Sequence, residues 1–172
     1  MSIQPPAPTS VEKKLGEGDF IVSKTDLKGV ITYGNQIFIE MSGYSEQELL
    51  GAPHNILRHP DMPKAVFKLL WDRIRNKEEI FAFVKNLSKD GSYYWVFANV
   101  TASLDLEGNI IGYYSVRRKP SEKAIEVISG LYRAMLNAEK SGGMEASGKI
   151  LADLLKEKGT TYDKLVLDLQ NG

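Results

Sequence analysis

Apolar residues along this chain alternate between two rhythms. The β-branched runs "FIVSKTD" and "VITYGN" are separated by Leu27-Lys28-Gly29, which predicts a β-hairpin turning at Asp26–Gly29. Asn35 and "QIFIEMSGY" then give a short helical piece ending at Gly43. Ser45 with Glu48 forms an S-x-x-E capping box that opens a second one, closed by Gly51. Further on, Val66, Phe67, Leu70, Trp71 and Ile74 share one helical face. They predict a helix to about Asn76, capped by Asp61, with Pro63 in its first turn, where a missing N–H costs nothing. The strand rhythm returns in "IFAFVKNLS", "SYYWVFANVTASL" and "IIGYYSVRRK", joined by turns at Lys89-Asp90-Gly91 and Leu106–Asn109.

Two strands, short helices and three strands on short connections predict an α+β domain, a five-stranded antiparallel sheet with helices on one face. Tyr94, Val96, Ala98, Val100 and Ala102 make one side of the fourth strand apolar, yet Tyr93, Trp95 and Phe97 begin the other. The second face therefore needs a cover, either a flanking helix or a second copy in a homodimer. Ile125, Ile128, Leu131, Tyr132 and Met135 stripe a helix over 121–140 that suits the task. Ser141-Gly142-Gly143 is expected to stop it, and two more helical pieces follow. The Pro/Ser/Thr-rich start predicts a mobile arm over 1–18, ahead of a domain at 19–119 and a helical extension at 120–172.

Lys+Arg and Asp+Glu both total 22, so no overall field draws the chain to nucleic acid. There is no cysteine, which removes disulfides, thiolate nucleophiles, Cys-ligated metals and cysteinyl–flavin chemistry. The chain has no apolar run near the roughly 18–20 residues of a membrane span and no signal peptide at its start, so a cytoplasmic location without direct membrane insertion is expected.

Both histidines lie in "GAPHNILRHPDMP", residues 51–63. His54, His59 and Asp61 are metal-ligand types, but histidines five apart leave a helix on different sides, unlike the four-apart spacing of H-E-x-x-H. A haem iron would ask for a single axial histidine. No G-x-S-x-G elbow, phosphate-binding loop or G-x-G-x-x-G occurs, and an enzyme is not expected. Two readings of the segment stay open. It is a proline-stiffened surface loop, or Arg58, His59 and Asp61 point into a cleft and hold a polar, ring-bearing ligand.

Three stretches carry a resemblance: "SKTDLKGVITYGNQIFIEMSGYSEQELLGAPHNILRHPDMP", then "VKN" with "KDGSYYWV", then "GYYSVRRKP". Together they resemble the PAS sensory domain of the FAD-binding type found in bacterial aerotaxis receptors, with "PHNILRHPDMP" as the most specific part. The resemblance implies a PAS fold holding FAD between sheet and helices. It implies contacts from His54, Arg58, His59 and Asp61, and from Asn86 facing the flavin, with Asn35, Phe67, Trp71, Tyr94 and Trp95 as pocket or wall residues. A two-residue turn would set Asn86 opposite Trp95, and one extra residue would offer Tyr94 instead. Ile80, Leu87-Ser88 and Phe97 depart from the family's tryptophan, basic pair and arginine, which implies less positive charge for a dinucleotide.

The implied role is a redox sensor that passes the state of its flavin to a transmembrane or HAMP-containing chemoreceptor, without catalysis. The competing expectation is a cofactor-free dimerisation module whose pocket is filled by Phe67, Trp71, Ile80 and Phe83.

Overall fold

Five antiparallel strands, β1 (Ile21–Thr25), β2 (Ile31–Gly34), β3 (Ile80–Leu87), β4 (Tyr93–Leu104) and β5 (Ile110–Arg118), form one sheet in the order β2-β1-β5-β4-β3. A computed structural model describes residues 3–172. Between β2 and β3 the chain makes α1 (Gln36–Ser42), α2 (Glu46–Leu49), a 3₁₀ turn at His54–Leu57, and α3 (Lys64–Arg75). Two helices follow the sheet, α4 (Glu122–Lys158) and α5 (Tyr162–Asn171).

Local chemistry sets the hairpins. The Asp26 carboxylate accepts from the Lys28 and Val30 amides at 2.8 and 3.0 Å, and Asp105 repeats this with Glu107 and Asn109 at 2.9 and 2.8 Å. The β3–β4 connection settles the register. Ser88 N–H donates to Ser92 O, enclosing three residues, Lys89–Gly91, so Asn86 pairs with Tyr94 and Lys85 with Trp95. Gly91 has φ of 90°, and a Cβ there would meet the Ala7 carbonyl.

That carbonyl belongs to the segment expected as a free arm, which is packed against the domain. Thr9 and Lys13 amides donate to Gly91 and Tyr93 carbonyls at 2.8 and 2.7 Å, and Leu15 is buried among Ile21, Tyr44 and Leu49. The Ser45–Glu48 capping box forms as expected. The cap expected of Asp61 does not. The Glu139 carboxylate, on α4, accepts from the Lys64 and Ala65 amides at 3.1 and 3.5 Å, while Asp61 reaches Lys85 at 2.8 Å.

The even-numbered side of β4 faces α1–α3. Over β3 and β4 the odd-numbered side is covered by the chain's own α4 and α5. Phe97 stacks with Phe81 and packs at a tilt against Phe83, and Trp95 lies 6.1 Å from the Tyr132 ring. The stop expected at Ser141-Gly142-Gly143 is present as a kink: Gly143, with φ of 68° and ψ of −163°, is non-helical and divides α4 into two helical stretches. The outer face of β1, β2 and β5 keeps Phe20, Tyr33 and Tyr114 exposed. Among the described residues no helix is long and apolar enough to cross a membrane.

Candidate functional site

Small side chains on the inner face leave room for a cavity. Ser23, Ser115 and Val100 form one cross-strand row, and Arg117 and Ala98 are paired in the next. Above them lie the 3₁₀ turn and the face of α3 that carries Phe67, Leu70, Trp71 and Ile74. The space between measures about 270 Å³. Its walls are largely apolar, and two polar clusters stand out among them, which suits a flat ligand held at its edges.

At the first polar place, Arg58 and Asn86 meet. The backbone of Arg58 bridges to Asn86 on the free edge of β3, and its guanidinium lies 4.4 Å from the Phe67 ring centre. Asn86 is 4% exposed, and its Nδ2 has no acceptor. At the second place, Arg117 is 3% exposed. It donates to Ser23 Oγ at 2.5 Å and to His54 Nε2 at 3.3 Å, and it lies over the Phe38 ring at 4.9 Å. Its Nε has no acceptor. A guanidinium only donates, so Nε2 of His54 is the unprotonated nitrogen. Burial, and then the Arg117 charge, push the His54 pKa down to about 3, while burial lowers Arg117 to about 10. At neutral pH this end of the cavity holds one positive charge and a neutral imidazole.

The residues expected at the site divide. His54, Arg58, Phe67, Trp71 and Asn86 line the cavity together. His59 and Asp61 instead face a shallow cleft with Pro8, Thr9, Ser10, Lys85 and Tyr93. The chain from Arg58 to Met62 follows the edge of β3, where Met62 Sδ accepts from the Lys85 amide, and this carries both side chains away from the cavity. His59 Nδ1 accepts from the Asp61 amide at 3.0 Å. Burial, with the Lys85 charge, lowers the His59 pKa, and the hydrogen bond from Lys85 lowers that of Asp61.

Asn35 has a structural duty. Its Oδ1 accepts from the Phe38 and Val22 amides and its Nδ2 donates to Phe20 O, so it caps α1 and ties it to β1. Tyr94 is fully buried beside Asn86, outside the cavity lining, and burial raises its pKa to about 12. Trp95 is on the opposite face because it pairs with Lys85, and side chains alternate. Phe97 shares that face, so the arginine missing there takes no charge from the cavity. Ile80 is fully buried.

Ser23 and Arg117 were not among the expected residues. For Arg117 the signal was parity: Tyr113, Ser115 and Arg117 alternate on one side of β5 and must face the same way. Among the described residues no cluster of three or more His, Asp or Glu is placed to hold a metal ion.

Comparison with known proteins agrees with this architecture. The chain is 40% identical over 154 residues to the aerotaxis receptor of Escherichia coli (strain K12), which covers 90% of this chain and 29% of the receptor. It is 27% identical over 97 residues to a nitrogen fixation regulatory protein of Klebsiella pneumoniae, covering 56% and 20%. The chain thus spans less than a third of either relative. A light-oxygen-voltage domain from a structure described as 'Flavin Analogue Sheds Light on Light-Oxygen-Voltage Domain Mechanism' superimposes with a TM-score of 0.57 at 26% identity, over 67% of this chain and 86% of that one. The dark structure of the blue-light photoreceptor Aureochrome1 LOV gives 0.54 at 28%, over 70% and 86%. A profile of the PAS fold matches residues 31–117, half of the chain, and with the five-stranded sheet and its helix-covered cavity this makes the chain a member of the PAS-fold family.

Proposed function

We propose that this chain is a flavin-binding sensory module, with FAD as the cofactor, that reports redox or oxygen status to a chemoreceptor. The observation that carries the reading is a cavity walled by Phe67 and Trp71 whose lining includes two buried side chains that each keep an unpartnered donor, Asn86 and Arg117. The carbonyls and nitrogens at the edge of a flavin ring are acceptors for such donors, and the apolar walls suit its faces. The chemistry a bound flavin supplies is reversible electron uptake.

A volume of about 270 Å³ suits the ring system alone. The ribityl chain and phosphates of FAD would leave through the mouth, where Lys28 and Arg58 are the available cations. An Asn86 amide can both donate and accept, so it can follow a change of protonation at the ring edge. The proposed role needs no turnover by the chain itself.

The proposed partner is a transmembrane or HAMP-containing chemoreceptor, by analogy with the aerotaxis receptor. The exposed outer face of β1, β2 and β5 is the surface offered for it, or for a second copy of this chain.

An absorption spectrum of the purified protein tests the cofactor. Flavin bands are expected, and Arg58→Ala and Asn86→Ala are expected to lower flavin retention without unfolding the chain. A Soret band would replace flavin with haem. A colourless protein that refuses added FAD would leave a cofactor-free interaction module.

A further inference from the structure

Arg117 is the one lysine or arginine buried among the described residues, and it is not part of an ion pair. Its partners are all neutral: the Ser23 hydroxyl, the unprotonated nitrogen of His54 and the face of Phe38. Taking a charge from water is costly when no opposite charge repays it. Yet burial leaves Arg117 charged at neutral pH, with a pKa of about 10. A guanidinium held this way, in a side chain that lines the cavity and with its Nε unpartnered, is a charge without a counter-charge beside the ligand space.

We propose that Arg117, held in place by Ser23 and His54, receives the electron-rich carbonyl edge of the ring and binds its reduced, negatively charged form more tightly than its oxidised form. This rests on the flavin reading and adds to it a residue that sets the potential. In the reduction, one electron passes from an external low-potential donor to the ring. No bond within the chain is made or broken, and the new negative charge is met by the guanidinium already present. Charge beside the ring is one of the few means by which a protein tunes such a cofactor.

The experiment compares the full-length chain with Arg117→Gln, which keeps a donor for Ser23 but removes the charge, and with Arg117→Lys, which keeps the charge. Two quantities are read: the melting temperature of the flavin-free protein, and the midpoint potential of added FAD in a dithionite titration. In Arg117→Gln the flavin-free protein is expected to melt higher, by about 2 °C or more, because an unpaired charge has gone. Its bound flavin is expected to be harder to reduce by about 59 mV or more, a tenfold loss of preference for the one-electron-reduced form. Arg117→Lys should keep a potential near that of the parent.

A structural role for Arg117 predicts the reverse in the first measurement, so a lower melting temperature in Arg117→Gln, or failure to fold, overturns the inference. Flavin bound at an unchanged potential in Arg117→Gln overturns it too, and leaves the flavin reading intact. A parent protein that takes up no flavin overturns both.

Discussion

The Tyr132 hydroxyl donates to the carbonyl of Phe83 at 2.7 Å, fastening α4 to the outer edge of β3. Tyr162 does the same at Phe81, also at 2.7 Å. An edge strand presents a row of unpaired carbonyls and amides, and here phenols from the helical extension occupy part of that row. Tyr132→Phe should leave a buried carbonyl without a donor and cost about 1–3 kcal/mol. Urea unfolding of the variant measures it, and a loss below about 0.5 kcal/mol would mean that water or a neighbour replaces the phenol at no cost.

Glu139 and Asp61 can be separated by a second pair of variants. The α3 amides of Lys64 and Ala65 are served from 75 and 74 residues away by Glu139, whereas Asp61 serves Lys85 across the β3 edge. Glu139→Ala should weaken the start of α3 by about 0.5–2 kcal/mol, the usual worth of a lost cap. Asp61→Ala breaks a half-exposed ion pair and should cost no more than about 1 kcal/mol. Hydrogen exchange at the Lys64 and Ala65 amides reads this directly. Faster exchange is expected in Glu139→Ala alone, and equal protection in both variants would return the cap to the local sequence.

The contrast between these two carboxylates shows what the sequence could tell. Asp26 with Gly29, Asp105 with Gly108, and Ser45 with Glu48 act within four residues of chain, so their spacing revealed the turns and the cap. The fold class followed from strand and helix rhythm. The cap of α3 comes from a distant helix, and local spacing could only nominate Asp61. The partner of Asn86 depended on whether the β3–β4 loop held two residues or three, a difference that moves every side chain by one place. At the site, the five-residue spacing of His54 and His59 argued against a shared metal but did not reveal that the β3 edge would part them. Arg117 was legible only through its parity with Tyr113 and Ser115, because a charged residue near a strand end is ordinarily solvated.

Acid should act on the protein through its histidines. His54 has a folded pKa of about 3, against about 6.5 when unfolded. As pH falls below 6.5 the unfolded chain binds a proton that the native imidazole refuses, so stability drops until pH nears 3. The slope is at most about 1.4 kcal/mol per pH unit, and less because the residue is only partly buried. His59, whose pKa is also lowered, adds to the loss in the same direction. The lowered carboxylates, Asp61 among them, contribute only nearer pH 4 and below. Urea unfolding between pH 7 and pH 5 should show falling stability in the parent and a flatter dependence in His54→Gln. Identical slopes would remove His54 from the account.

Ile80 and Val100 pair across β3 and β4 on the inner face, yet the same kind of substitution should affect them in opposite ways. Val100 lines the cavity, whereas Ile80 is fully enclosed and lines none of it. Val100→Phe would place its ring in open volume, so melting should hold or rise at about 0.8 kcal/mol per newly buried methylene equivalent, while FAD uptake is lost. Ile80→Trp, which restores the family's ring at that position, has no such room and should destabilise by about 1–3 kcal/mol through overpacking. Thermal melts with and without added FAD compare the two. If Val100→Phe still takes up flavin, the ligand lies elsewhere, and if Ile80→Trp melts no lower than the parent, the packing around Ile80 opens more easily than its burial implies.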